Sequence, residues 1–151
     1  MIRSKRKSDV MYAVIRLKGL VKIRKDFVDS LKMLRLNRKM HCVLLKEDDV
    51  VKGMLQKVKD RVTWGEIDDT VLKSLIEKRG RKPGNQRLTR EEAEEIFKKI
   101  KESQEVPETI KPVFRLTPPS KGFKHSIKQH YPKGELGYRG KEINELLKRM
   151  I

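Results

Sequence analysis

The sequence predicts an α+β fold: a strand–helix–strand–helix–strand core with a three-stranded sheet, a helical insert, and an extended basic C-terminal arm. Three observations predict it. Apolar residues alternate with period two near the start and then recur with helical spacing, so strand and helix signals take turns along the chain. Gly19, Gly80 and Pro107 fall at or just beyond the ends of such segments. The charge is also partitioned. Residues 1–65 carry 18 basic and 7 acidic side chains, residues 66–108 carry 10 and 11, and residues 109–151 carry 10 and 3.

Each element has a local reason. In Met11–Leu17, Met11, Ala13, Ile15 and Leu17 share one face of a strand, and Tyr12, Val14 and Arg16 share the other; Gly19 ends it. Between Arg24 and Leu36, Phe27, Leu31 and Leu34 repeat at helical spacing, with Val28 widening the stripe. His41–Leu45 is a short apolar run, read as a second strand. Asp48 and Asp49 open a second helix, where carboxylates complement the dipole, and Val51, Met54, Leu55, Val58 and Val62 form its stripe.

The near-neutral segment 66–108 reads as an insert of two helices facing solvent or a protein. Asp68 or Asp69 caps the first, which carries Val71, Leu72, Leu75 and Ile76 and stops at Gly80. A basic loop over 80–88 follows. Thr89 and Glu92 make a capping box for the second helix, with Ala93, Ile96, Phe97 and Ile100 inward. Ile110–Leu116, within residues 109–117, reads as the third core strand. Residues 118–151 form the arm, closed by a helix with Ile143, Leu146, Leu147 and Met150 on one face. Helices on one face only would leave the other sheet face open, with Tyr12, Arg16, Lys18 and Arg115 projecting from it.

The charge balance selects the partner class. A net +17 on 151 residues costs self-repulsion unless a polyanion neutralises it, which points to nucleic acid ahead of an anionic membrane surface. No apolar run is long enough to span a bilayer, and the basic N-terminus is not read as a signal peptide. A single cysteine, Cys42, excludes an intramolecular disulfide.

Catalytic patterns fail one by one. There is no P-loop and no dinucleotide-binding glycine pattern. His41, His125 and His130 do not match a zinc spacing with Cys42, and Cys42 lies in an apolar strand where cysteine behaves as a small hydrophobe. Glu91, Glu92, Glu94 and Glu95 crowd the first turns of a capped helix and complement its dipole. Trp64 reads as a packing residue at the joint before the insert. Lys121-Gly122-Phe123 opens like an RNA-recognition signature, but Lys124-His125-Ser126 does not continue it.

Binding candidates follow from charge and aromatics. Arg24 and Lys25 start the first helix, where free backbone N–H groups add to their charge. Arg38 and Lys39 sit in the following turn. In the arm, Lys121, Lys124, Lys128, Lys133, Arg139 and Lys141 are interleaved with Phe123, His125, His130, Tyr131 and Tyr138, a pattern suited to a phosphate backbone with rings packed on sugar or base.

Several stretches then resemble one family. They are Tyr12-Ala-Val-Ile-Arg-Leu-Lys-Gly, Leu34-Arg-Leu-Asn-Arg, Val62-Thr-Trp-Gly-Glu-Ile, Leu75-Ile-Glu-Lys-Arg-Gly, Phe114-Arg-Leu-Thr-Pro-Pro-Ser-Lys-Gly-Phe and Ile143-Asn-Glu-Leu-Leu-Lys-Arg-Met. Together they resemble the large-subunit ribosomal protein L-thirty family in its archaeal form, whose eukaryotic relative is called L-seven. The resemblance implies a ferredoxin-like-related core whose first strand is central, and an insert and arm that the short bacterial form lacks. It implies a structural, non-enzymatic role in the cytoplasmic ribosome, with large-subunit rRNA and neighbouring ribosomal proteins as partners. It implies no cofactor, no metal, no membrane and no small-molecule substrate. The competing reading is a non-ribosomal RNA-binding factor such as an RNA chaperone.

Overall fold

The computed structural model describes residues 11–19, 24–46, 48–84, 86–103, 110–120, 122–123, 125–131 and 133–151. Its elements run β1 (Met11–Arg16), α1 (Lys25–Met33), β2 (His41–Lys46), α2 (Asp49–Lys57), β3 (Val62–Glu66), α3 (Asp69–Arg79), β4 (Arg81–Lys82), β5 (Gln86–Arg87), α4 (Arg90–Ser103), β6 (Val113–Arg115), β7 (Ser126–His130), β8 (Gly134–Tyr138) and α5 (Ile143–Met150), with a short 3-10 turn at Gly140–Glu142. The class is α+β, as the periodicity predicts.

The sheet has six strands, not three, in the order β6-β2-β1-β3-β8-β7. β1 is flanked antiparallel by β2, with Ile15 opposite Cys42, and by β3, with Val14 opposite Trp64. The third strand of this central trio is therefore Val62–Glu66. Val113–Arg115 is a short strand on the outer edge of β2, where Phe114 faces Cys42. Val62 fits the helical stripe of α2 only by count. The helix ends at Val58, the Arg61 N–H turns back to the Val58 carbonyl at 2.9 Å, and Val62 rejoins the same apolar cluster from a strand.

Both faces of the sheet are covered, which corrects the expectation of an open one. Tyr12, Val14, Val43, Val62 and Trp64 pack under Leu31, Leu34 and Leu36 of the α1 region and Leu55 and Val58 of the α2 region. On the other face, Met11, Ala13, Ile15, Leu17, Cys42 and Leu44 meet Val71, Leu72, Leu75 and Ile76 of α3, Ala93, Ile96 and Ile100 of α4, and α5. A strand covered twice has no solvent side, so every residue of β1 is buried, Arg16 included. The helices of the insert thus complete the core.

The described part of the arm is folded. β8 adds in parallel to β3, with Thr63 opposite Gly137, and β7 pairs with β8 in an irregular register. Ile143, Leu146, Leu147 and Met150 of α5 are all buried in the α3–α4 side of the core. Burying an aliphatic side chain is worth about 1.5–3 kcal/mol. Four of them amount to a sizeable share of the 5–15 kcal/mol that typically separates folded from unfolded chains, so the arm is part of the fold.

Candidate nucleic-acid interface

Sheet register decides which basic residues can meet. β1 runs out at Arg16, β2 enters at His41, β3 enters at Val62 opposite Arg16, and β6 leaves at Arg115 opposite His41. One end of the sheet therefore collects the ends of β1 and β6, the loop from α1 to β2, and the turn from α2 to β3. The arm reaches the same end, where His130 Nε2 lies 2.6 Å from Asp60 Oδ1.

The loop from α1 to β2 is shaped by two left-handed residues, Arg35 at φ 63° and Met40 at φ 64°. Past the end of α1, the Leu36 N–H bonds the Leu31 carbonyl at 2.9 Å, closing a Schellman-type cap around Arg35. At the far side, the Met40 N–H bonds the Arg16 carbonyl at 2.7 Å and the Leu116 N–H bonds the Met40 carbonyl at 3.1 Å. The loop is thus tied to β1 and β6, and Arg35, Arg38 and Lys39 are exposed on it.

Arg16 plays another part. Its guanidinium is buried, with Nε donating to the Lys18 carbonyl at 2.8 Å and Nη1 to the Leu36 carbonyl at 3.0 Å. Burial and the neighbouring Arg61 lower its pKa from the ordinary guanidinium value, and an arginine stays charged regardless. It pins the loop and places a positive charge beneath it. Lys18 is half-buried, and Lys39 lies along Gly19.

Arg24 caps α1 in an extended conformation, 3.5 Å from Asp26 Oδ1 and 5.7 Å from the Phe27 ring, and Lys25 is exposed beside it. Asp26 already accepts the Phe27 N–H at 3.1 Å, so this helix start holds a carboxylate of its own. Arg115 is exposed on the sheet edge.

The arm residues separate sharply. Lys121, Lys124 and the side chain of Lys128 lie outside the described residues. Lys133 and Lys141 are exposed, and Phe123 packs partly against the core. His125 is exposed, and its N–H donates to Glu135 Oε1 at 3.0 Å. Tyr131 stands 5.9 Å from the Arg139 guanidinium. Tyr138 is 48% exposed, its hydroxyl bonds Glu66 at 3.0 Å, and its ring lies 6.3 Å from both Tyr12 and Trp64. Arg139 is buried and engaged with Glu135 and Thr63. Like Arg16, it serves the fold, so the basic count of the sequence overstates the charge presented outward at these two positions.

Elsewhere, cations are partnered within the chain: Lys82 with Glu92, Lys101 with Asp69, Lys57 and Arg24 with Asp26, Arg139 with Glu135. Among the described residues, no carboxylate pairs with Arg35, Arg38, Lys39, Arg61 or Arg115. That end of the sheet is the candidate interface. Sequence reading missed Arg35, Arg61 and His41 there; strand pairing sets His41 opposite Arg115 and brings Arg61, at the entry to β3, next to Arg16.

Comparison with known proteins sets this geometry in context. The sequence profile described as "Ribosomal protein L30p/L7e" matches residues 12–62, from β1 to the start of β3. Proteins named "Large ribosomal subunit protein uL30" align over 93% of this chain: 43% identical in Methanosphaera stadtmanae, covering 100% of that protein, 44% in Archaeoglobus fulgidus and 46% in Methanococcus maripaludis, each covering 99%.

The chain belongs to the uL30 family. The profile match ends at residue 62, short of the insert and the arm, whereas the uL30 relatives align over 93% of the chain. In this uL30 chain, the basic sheet end draws on the profile-matched region for Arg35, Arg38, Lys39, His41 and Arg61, and on β6 for Arg115.

Proposed function

We propose that this chain is a structural constituent of the large ribosomal subunit, without enzymatic activity, and that it holds folded rRNA against the basic end of its sheet. Full-length similarity to proteins named as large-subunit constituents carries this reading. Arg24, Lys25, Arg38, Lys39 and Arg115 are the side chains assigned to phosphate, with Lys133 and Lys141 adding charge from the arm. Such cations replace condensed counterions and let RNA segments approach closely. Recognition is of shape and backbone, which needs no base readout. Neighbouring ribosomal proteins are the remaining partners, and the site of action is the cytoplasmic ribosome.

We read β1–α1–β2–α2–β3, with its first strand central, as a ferredoxin-like-related core, and residues 66–108 and 118–151 as additions that complete its second face. The test is sedimentation of the tagged full chain from cell extract. It should travel with large subunits and leave them only at high salt. Recovery in light fractions, or equal affinity for unrelated RNAs, would favour the chaperone reading. Deleting residues 118–151 is not a usable probe of arm binding, because it removes the buried face of α5. Charge substitutions at exposed Lys133 and Lys141 are.

A further inference from the structure

The sheet end contains an ordered row of side chains. Val14 faces Val43 and Val43 faces Val113, so β1, β2 and β6 contribute one valine each to a row packed on the α1–α2 side. Two residues along each strand stand Arg16, His41 and Arg115. Residues two apart on a strand share a face, and directly opposed residues stand side by side. His41 and Arg115 are such a pair. Arg38 joins them through the chain, its carbonyl accepting the His41 N–H at 3.4 Å.

This row places three guanidinium groups around one imidazole. Burial lowers the His41 pKa from its ordinary value, and the positive fields of Arg115, Arg38 and Arg16 lower it further. The lowered pKa favours the neutral ring, so the positive charge here is that of the guanidinium groups, and among the described residues no carboxylate pairs with Arg38 or Arg115. Asp60, next to Arg61, is held by His130. Arg16 gives two of its N–H donors to carbonyls, whereas Arg38 and Arg115 are exposed, their guanidinium groups without a partner among the described residues. An anion with several acceptor oxygens would satisfy both forks and supply the missing charge.

We propose that Arg38, His41 and Arg115 form a binding site for one phosphate group. The proposal rests on the reading of this chain as an rRNA-binding protein and deepens it, adding a histidine as a phosphate ligand and assigning Arg16 as the buried charge behind the site. Neutral imidazole donates from one nitrogen, and an arriving phosphate draws a second proton onto the ring. The phosphate belongs either to an RNA backbone or to a free phosphate ion, and two probes separate these sources.

The experiment follows the imidazole resonances of the full-length chain by NMR across pH, alone, with inorganic phosphate, and with a short RNA hairpin. The hairpin should raise the His41 pKa by about one unit, a tenfold gain in proton affinity. Arg38→Gln and Arg115→Gln should each abolish that rise and lower the slope of log affinity against log salt by about one. Both positions are exposed, and an unchanged amide spectrum of the core certifies the fold; His41→Gln, read by the salt slope, is the independent variant. A rise with inorganic phosphate but not with the hairpin assigns the site to a free anion and removes RNA from it. If the hairpin binds with steep salt dependence while His41 and the variant slopes stay unmoved, the site is wrong and the rRNA reading stands. If no salt-dependent binding occurs at all, both fall.

Discussion

The guanidinium of Arg139 lies against the carboxylate of Glu135, Nη2 to Oε2 at 2.7 Å, with side chains only 6% and 4% exposed. The same Nη2 also donates to the Glu135 carbonyl, and Nε donates to Thr63 Oγ1 at 2.8 Å. Thr63 in turn donates to the Gly137 carbonyl at 2.9 Å. The buried ion pair lies within the arm, and the bonds from Arg139 to Thr63 and from Thr63 to Gly137 join it to β3 of the central sheet. Breaking such a pair from one side strands a charge in a low dielectric and costs about 3–5 kcal/mol. Arg139→Met should lower the unfolding free energy by that amount in denaturant titration. Adding Glu135→Gln should recover part of the loss, because the second change removes the stranded carboxylate. Equal losses in the single and double variants would argue against the pair.

Gly65 makes the docking of the C-terminal segment possible. It sits in β3, and a β carbon there would overlap the Gly140 carbonyl oxygen and come within 2.9 Å of the Ile143 side chain. Backbone oxygen and a packed β-branched residue cannot give way cheaply. Gly65→Ala should cost at least the 1–3 kcal/mol typical of overpacking, about 2 kcal/mol as a central value. Thermal unfolding followed by circular dichroism measures it, with exposed Gly53→Ala in α2 as the control, where nothing lies within 4 Å. Ala should be neutral or stabilising at Gly53.

Cys42 is wholly buried in β2, and burial pushes its thiol pKa up to about 12. The thiolate is the reactive form. The native protein should therefore resist alkylation by iodoacetamide at pH 8 and react fully once unfolded in guanidinium. Reaction of the native chain at the rate of a free thiol would contradict the packing of β2.

His41 makes stability depend on pH in a defined direction. Its folded pKa is depressed, so the unfolded chain binds a proton first as pH falls. The contribution is fully present above the ordinary imidazole value, about 6.5, and is lost as pH falls through the lowered folded value. The RNA-free chain should thus lose stability on acidification through that window, and His41→Gln should remove that part of the loss. Denaturant midpoints at a series of pH values, at constant ionic strength, provide the measurement.

Asn144 shows what a local reading cannot reach. Its Oδ1 accepts the Asp68 N–H at 2.8 Å, and its Nδ2 donates to the carbonyls of Glu66 at 3.0 Å and Lys141 at 2.9 Å. It stitches α5 to the start of the insert. Asn144→Leu should leave three backbone groups without this partner, at about 1–3 kcal/mol for each one that water cannot reach. A loss below about 1 kcal/mol in chemical denaturation would mean that water replaces the amide.

The periodicity of the sequence determined the class of nearly every segment: β1, α1, β2, the start of α2, α3, α4 and α5 lie where apolar spacing puts them, although Asp68, at the N-cap of α3, makes no side-chain capping bond. The capping Thr89 does accept the Glu92 N–H, at 3.3 Å. Spacing is a local property of the chain, set by 3.6 or two residues per repeat, and it survives without tertiary context. Composition likewise determined the polyanion reading, since net charge does not depend on the fold. Pairing was decided only in three dimensions. Val62 suits a helix stripe and a strand equally well, and only the ladder to Arg16 chose the strand. Whether the Tyr12 face was open depended on where α1 and α2 came to rest. The arm's Gly134–Tyr138 became a strand because β3 offered an edge and Arg139 a buried anchor. The same contacts sorted the basic residues. A sequence counts Arg16, Arg115 and Arg139 as equal charges. Burial turned Arg16 and Arg139 into internal ties, and strand register left Arg115 exposed beside His41 and Arg38.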